Sequence, residues 1–437
     1  MREVPEGWDK FPVGEIANIK RGITYVASEL TDEGSGKPLY VNMKSFKKDG
    51  GYNPAGEKYF GAEYQERDLA DENELFIANT DVTPTGDIIG APALVPEHRQ
   101  ARGVLCSHHV SRLQITGDVE KEFFYHLLCA DHVRRFMKQI GRGTTVKMLD
   151  AVALKQFEVP IPPIPEQQKI AAILSSVDTV IEKTRAQIDK LKAFKTGMMQ
   201  ELLTKGIGTN GQPHTEFKDS PVGRIPVGWN ARLIGDLLEF KNGLNKGKEF
   251  FGYGNPIVNF NDVFHLYGIG ESDLVGRVEL TDVEQNRFRV RYGDVFFTRT
   301  SETPNEIGMA AVFLDDADSV SFSGFVLRGR PITDELEPEF CKYCFASEAV
   351  RGQIVSSCSY TTRALTNGTL LSACWLAVPP RDEQIAITKS LDAVRASIEQ
   401  KSVRLKLFGS LKKALMQDLL TGKVRVNVDQ AQEAVVA

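Results

Sequence analysis

The 437-residue chain is bounded first by what it lacks. No run of about 18 apolar residues occurs, so no membrane-spanning helix is expected. The opening Met1-Arg-Glu-Val-Pro-Glu-Gly-Trp8 has no apolar stretch of the kind a secretory leader needs. Six cysteines in so long a chain are too few for a disulfide framework, and reduced thiols in a cytoplasm are expected. Neither sign of charge dominates: 53 Lys+Arg stand against 58 Asp+Glu, a net of −5. That balance argues against a wholesale polyanion coat but leaves room for a local basic patch. With 42% hydrophobic and 25% charged residues, the chain can bury real cores, and its length suits two or three domains.

What is present is said twice, and internal repetition decides the architecture. Val4-Pro-Glu-Gly-Trp8, Gly14-Glu15 and Ile19-Lys20-Arg21-Gly22 return as Ile225-Pro-Val-Gly-Trp229, Gly235-Asp236 and Phe240-Lys241-Asn242-Gly243, all at one offset of 221. Glu74-Leu-Phe-Ile-Ala-Asn-Thr80 returns as Asp294-Val-Phe-Phe-Thr-Arg-Thr300. Val159-Pro-Ile-Pro-Pro-Ile-Pro-Glu-Gln167 answers Val378-Pro-Pro-Arg-Asp-Glu-Gln384, and Met199-Gln-Glu-Leu-Leu-Thr204 answers Met416-Gln-Asp-Leu-Leu-Thr421. The offset drifts by only four residues from first motif to last, which marks a tandem duplication with a few loop changes.

Each copy begins with short β-branched and aromatic runs punctuated by turn signals such as Asp49-Gly-Gly51. A helix is expected near 120–139, with a counterpart near 337–355. Each copy then ends in a long helix. In the first, Ile170, Leu174, Val177, Ile181, Thr184, Ile188, Leu191, Lys195, Met198 and Leu202 alternate at spacings of four and three. Ile387, Leu391, Val394, Ile398, Lys401, Leu405, Phe408, Lys412, Leu415 and Leu419 do the same in the second. A 3.5-residue period imposes a left-handed coiled-coil seam. Pro165 and Glu166 suit a helix start, and Gly206 and Gly422 suit the ends. A single stripe of this kind ordinarily faces a core; two matched stripes in one chain favour pairing with each other. The expected fold is therefore α+β: two similar mixed α/β domains and two long helices forming an antiparallel coiled coil, pseudo-twofold symmetric. The expected divisions are 1–160, a helical region 161–207, 208–377, a second helical region 378–425, and a flexible tail 426–437. One register pairs residues whose numbers sum to 596, setting Ile188 against Phe408, Thr184 against Lys412 and Lys195 against Lys401, so that polar seam residues meet each other.

Paired domains related by such an axis match the local symmetry of double-stranded DNA and could read two half-sites. Candidate contacts are polar and basic residues beside turns. They are Lys20, Arg21, Lys44, Asn79, Thr80, Asp81, Thr83 and Arg142 in the first copy. The second copy offers Lys241, Asn242, Arg299, Thr300, Ser301 and Arg363. Arg reads guanine and Asn adenine bidentately, while Lys and hydroxyls grip phosphates. Asn79 aligning with Arg299 keeps the frame and changes the reading residue. The alternative for any one of them is a solvated loop side chain.

The [Val/Ile]-Pro-x-Gly-Trp openings, Pro-Pro-x-x-Glu-Gln helix starts and Met-Gln-[Glu/Asp]-Leu-Leu-Thr helix ends together resemble the specificity subunits of type I restriction–modification systems. The resemblance covers nearly the whole chain, in both copies. It implies two target recognition domains, each reading half of a bipartite, asymmetric DNA site. It also implies helical regions that set the spacer and dock two modification subunits. Outer helix faces carrying Phe194, Lys183 and Arg404 are candidates for that docking, the alternative being ordinary solvated heptad positions. The modification subunits would methylate adenine with S-adenosylmethionine, and restriction subunits would use ATP and Mg to cleave DNA; this chain would bind none of these cofactors. In the second copy the helix start lacks the extra Pro-x-Pro, so the two docking surfaces need not be equivalent.

No catalytic motif opposes that reading. The chain has no Asn-Pro-Pro-aromatic or Asp-Pro-Pro-aromatic run, and Asn53-Pro54-Ala55 reads as a turn. Gly243-Leu-Asn-Lys-Gly247-Lys248 has the wrong spacing for a phosphate loop, and Gly141-Arg-Gly-Thr-Thr145 reads as a loop near the DNA backbone. Cys341-x-x-Cys344 lacks the second pair that zinc needs, so no metal is expected, and Ser107-His108-His109 reads as packed or DNA-facing. Two other classes stay open: a self-contained methyltransferase or nuclease, and a scaffold that binds only proteins.

Overall fold

A computed structural model describes residues 5–428 except 33, 35, 72, 84, 97–100, 209–210 and 361. Most of the expected tail lies outside the described residues. The chain forms two units: residues 1–185 with 403–437, and residues 186–402.

In the first unit the strand Asp9–Pro12 pairs with Glu158–Ile161, the strand that leads into the first long helix. Next to them lies an antiparallel sheet in the order Ala17–Arg21, Val110–Ile115, Leu75–Ala78, Pro92–Leu94. Leu75–Ala78 is buried along its whole length, and its side chains alternate between two cores, as the twofold period of a strand requires. Leu75 and Ile77 pack with Trp8, Phe123, Leu127, Ile170 and Leu174. Phe76 and Ala78 pack with Leu39, Val41 and Val104 of a second sheet. The helix expected near 120–139 is two helices, Lys121–Cys129 and Asp131–Gln139, broken where Ala130 turns extended (φ −63°, ψ 141°).

The second unit repeats this plan. Asn230–Leu233 pairs with Trp375–Val378. A five-stranded sheet follows in the order Leu238–Asn242, Val326–Pro331, Val295–Thr298, Ala310–Phe313, Gly268–Ile269, its last pair parallel. Val295 and Phe297 face one core and Phe296 the other. The counterpart expected near 337–355 is two 3-10 turns, Pro338–Lys342 and Cys344–Ala346, followed by the helix Glu348–Ser357. Cys341 and Cys344 are buried in the apolar core, and burial pushes the Cys344 thiol well up.

The long helices are Ile164–Lys205 and Arg381–Leu419, about 63 and 58 Å at 1.5 Å per residue. The first ends directly before Gly206, whose φ of +67° suits the left-handed residue that closes a helix; after the second, Gly422 (φ +66°) lies in the turn three residues beyond Leu419. Each helix gives one half to each unit. Within the first unit Ile170 and Leu174 share a core with Leu415 and Leu419, and Lys412 pairs with Asp178 at 2.6 Å. Within the second, Leu202 and Met198 share a core with Ile387 and Leu391, and Lys401 donates to Gln187 Oε1 at 2.7 Å. In each unit the two helix halves are therefore antiparallel. The residues brought together have numbers summing to about 589, one heptad from the expected 596. The expected meetings of Thr184 with Lys412 and of Lys195 with Lys401 do not occur. Lysine stems lie along the seam and carry their ammonium groups to polar residues at its edge; Lys195 sits 3.8 Å over the Tyr267 ring.

Candidate nucleic-acid interface

The repeated motifs build a matched frame in each unit. Trp8 Nε1 donates to Glu166 Oε2 (3.1 Å), and Trp229 Nε1 to Glu383 Oε2 (2.9 Å). The neighbouring glutamine closes the same junction. Gln167 donates to the carbonyls of Asp118 and Pro162 and accepts from Glu120 N; Gln384 donates to Glu335 and Pro379 and accepts from Glu337 N. Arg425 completes the first junction by pairing with Glu166, while the Ile207 amide and His214 complete the second at Glu383. The domain openings and helix starts are thus held together by buried, satisfied polar groups.

The repeated glycines serve a close approach. A Cβ on Gly22 would lie 2.1 Å from Cys106 O, and one on Gly243 2.1 Å from Ser323 O. At that crossing Ile23 bridges Ser107, and Leu244 bridges Ser323. The turns that follow, at His108–His109 and Gly324–Phe325, are thereby set beside the candidate reading residues. Asn79 N donates to His109 O (2.7 Å) and Arg299 N to Phe325 O (3.3 Å). Asn79 O accepts from Leu149 N, and Arg299 O from Thr366 N. Each frame then continues into a small sheet: Thr80–Asp81 with Lys147–Leu149 and Gly141–Arg142, and Thr300–Ser301 with Ala364–Leu365 and Ser359–Tyr360. Gly141–Arg142, expected in a loop, is one of these strands.

Among the candidates, Lys20, Arg21, Lys44, Arg142, Asn242 and Arg363 are exposed, and Asn79, Thr83, Lys241, Arg299 and Thr300 are half-buried. Arg142 pairs with Asp150 (2.6 Å), Arg363 with Glu302 (3.7 Å), and Arg21 Nε donates to His108 O (2.6 Å). Asn79 Nδ2 donates to Ser111 Oγ (2.8 Å). Thr80, Asp81 and Ser301 face inward. Asp81 accepts from the amides of Thr83, Ile88 and Ile89. Burial pushes its carboxyl up, but these amides outweigh burial and hold it below the usual range. Thr83 Oγ1 accepts from Asp87 N in the same loop, and Ser301 Oγ donates to Glu306. The Lys20 ammonium donates to Arg67 O and pairs with Asp68 (3.0 Å), and that of Lys241 donates to Arg287 O (2.6 Å). Sequence reasoning did not single out Phe325, 67% exposed, or the exposed Val82, Val146, Met148 and Tyr360 on and beside the small sheets. His109 shares a hydrogen bond with Thr80 Oγ1 (2.9 Å); burial, then His108 and Arg21, push its imidazole below the ordinary value. Among the described residues no group of three or more His, Cys, Asp or Glu is placed to hold a metal ion, and no helix is long and apolar enough to cross a membrane.

Residues 5–193 match the family model of the type I restriction modification DNA specificity domain. The type I restriction enzyme MjaVIII specificity subunit of Methanocaldococcus jannaschii is 24% identical, over 97% of this chain and 94% of that protein. Over nearly its whole length the chain is similar to the specificity subunits of type I restriction–modification systems. The EcoKI specificity subunit of Escherichia coli K12, a further specificity subunit, is 21% identical over 90% of this chain and 83% of its own. The fold agrees: a type I S subunit from M. genitalium superposes with a TM-score of 0.56 at 13% identity, covering 96% of this chain and 98% of that one. Specificity subunits are the non-catalytic, DNA-recognising members of their complexes.

Proposed function

We propose that this chain reads DNA sequence for a type I restriction–modification complex, each unit reading one half of a bipartite, asymmetric site. One observation carries this: two frames with the same backbone hydrogen bonds present different side chains, Asn79 beside His109 in one and Arg299 beside Phe325 in the other. Matched scaffolds with unlike reading groups suit two unlike half-sites, since amide and guanidinium favour different base edges. Lys44, Arg142, Asn242 and Arg363 stand exposed to contact the DNA, whereas Asp81 shapes the loop beside them. Modification subunits, bringing S-adenosylmethionine, would dock on helix faces where Phe194, Lys183 and Arg404 are exposed, and restriction subunits would bring ATP and Mg chemistry. A cytoplasmic setting fits the reduced thiols.

Both long helices run unbroken through residues 185–186 and 402–403, so the helices are the natural ruler for the spacer. The test is to sequence methylated adenines in a host carrying this chain with its modification partner, before and after inserting one heptad in register into both helices. A two-part motif is expected, and the insertion should alter its gap while leaving both sets of bases unchanged. A single continuous motif would overturn the two-half reading; an unaltered gap would overturn the ruler.

A further inference from the structure

We infer that Arg287 and Arg291 of the second unit, with Lys241 and Arg328 behind them, form a phosphate-gripping site for the backbone of duplex DNA that the first unit lacks. The inference rests on the DNA-reading function proposed above.

The site is built around one cross-strand pair. Lys241 faces Arg328 in the sheet register, and Arg328 faces Phe296 on its other side. The ammonium of Lys241 is spent on the carbonyl of Arg287, and the guanidinium of Arg330 donates to the carbonyl of Arg289 (3.0 Å). Those two bonds draw the backbone of the segment toward the sheet, while the side chains of Arg287 and Arg291 stay exposed. Six cations gather here: Lys241, Arg287, Arg289, Arg291, Arg328 and Arg330. Their acids are fewer. Buried Asp294 pairs with Arg330 (2.6 Å) and lies 4.0 Å from Arg328, Asp318 takes Arg289, and Glu239 faces Arg330 in register. Arg328 is 4% exposed, and its Nε, like that of Arg289, has no hydrogen-bond partner. Among the described residues no ion pair neutralises Arg287 or Arg291. The excess positive potential is felt at Lys241: burial first, then Arg328, Arg287 and Arg330, hold its ammonium below the ordinary value. An anion is what such a place takes.

The first unit keeps the scaffold and cancels most of the charge. Lys20 faces Arg112, Arg112 faces Phe76, and the Lys20 ammonium again donates to the carbonyl of an arginine, Arg67. There, however, the following positions are Asp68, Leu69 and Asp71 where the second unit has Phe288, Arg289 and Arg291. Four cations, Lys20, Arg21, Arg67 and Arg112, stand against three acids: Asp68 on Lys20 (3.0 Å), Glu74 on Arg112 (3.3 Å), and Asp71. A matched frame thus carries six cations against three acids in one copy and four against three in the other, a difference that folding does not require.

The probe is a 30-base-pair duplex of random sequence, titrated with the full chain from 50 to 200 mM salt by fluorescence anisotropy. Each neutralised phosphate contributes roughly 0.9 to the slope of log affinity against log salt, so two contacts amount to about a twelve-fold difference over that range. Arg287→Ala with Arg291→Ala should flatten the slope by about two, each alone by about one, and Arg67→Ala should leave it unchanged. A double variant with the wild-type slope overturns the site, and so does an Arg67→Ala loss as large as that of Arg287→Ala. Wild-type chain that shows no salt-dependent shift of the duplex would instead overturn the DNA-reading function itself. Neither exposed guanidinium has an ion pair to lose, so wild-type thermal unfolding is expected of the variants.

Discussion

Acid should loosen the first unit through one buried histidine. His126 is 1% exposed in the helix Lys121–Cys129, and its Nε2 shares a hydrogen bond with Ser175 Oγ of the first long helix (3.0 Å). Burial, then the Lys412 ammonium, push its imidazole down to about 3 from 6.5. Asp178 stands 4.0 Å from Nδ1 but is already engaged by Lys412 at 2.6 Å, so it offers little to an incoming proton. A folded pKa below the unfolded one means the unfolded chain binds the proton better. The contribution is therefore fully present above pH 6.5 and is lost as pH falls from there toward 3. At about 1.4 kcal/mol per pH unit, the loss reaches about 2 kcal/mol at pH 5. The assay is hydrogen exchange on peptides spanning 121–129 at pH 8 and 5, corrected for intrinsic rates. Wild-type opening free energy should fall by about 2 kcal/mol more than that of His126→Gln, which keeps a polar group for Ser175 but cannot titrate. His109 and His132 are present in both proteins and cancel. Equal pH dependence in the two would refute the assignment.

Two other perturbations test the junction and the reading frame. Glu383→Ala strands the buried indole N–H of Trp229 and the amide of Ile207, costing roughly 1–3 kcal/mol; Glu383→Gln, which keeps one acceptor, should lose less, and an unmoved urea midpoint for the Ala variant would show the junction to be idle. Arg299→Ala should cost roughly 1–3 kcal/mol at one base pair of the second half-site and little at the first; an equal loss on unrelated DNA would make Arg299 a phosphate contact instead.

The duplication was legible because its anchors are backbone-critical or buried. Trp8 and Trp229 have one partner type, a glutamate at a helix start, and Gly22 and Gly243 sit where no Cβ fits. Such positions admit few residues, so they repeat visibly. The break at Ala130 was not legible, because neither Gly nor Pro marks it and the apolar pattern runs through it. The candidate site was legible by half. Asn79 and Arg299 were singled out as candidates because they lie inside a repeated run. His109 was read as packed or DNA-facing but not placed beside Asn79, and Phe325 was missed; both arrive from another strand, and their adjacency depends on pairing register rather than on spacing. Thr80 and Asp81, polar residues beside a turn, read from sequence as contacts; yet three amides fix Asp81 and Thr80 bonds His109.

The coiled-coil register shows why polar residues in an apolar seam mislead. Pairing them with each other minimises burial of charge only if the charged atoms must stay where their Cβ atoms are. Lysine has four methylenes, long enough to cover apolar surface while its ammonium reaches an edge residue. Lys412 therefore reaches Asp178, and Lys401 reaches Gln187, from positions that sequence reasoning would have forbidden. With that penalty removed, register falls to the ends of each helix half. There Ile170 and Leu174 meet Leu415 and Leu419, and Leu202 and Met198 meet Ile387 and Leu391, in cores already fixed by the domains. Those domain cores hold the helix ends in this register, and Ile181 and Ile188, buried midway along the first helix, add to it.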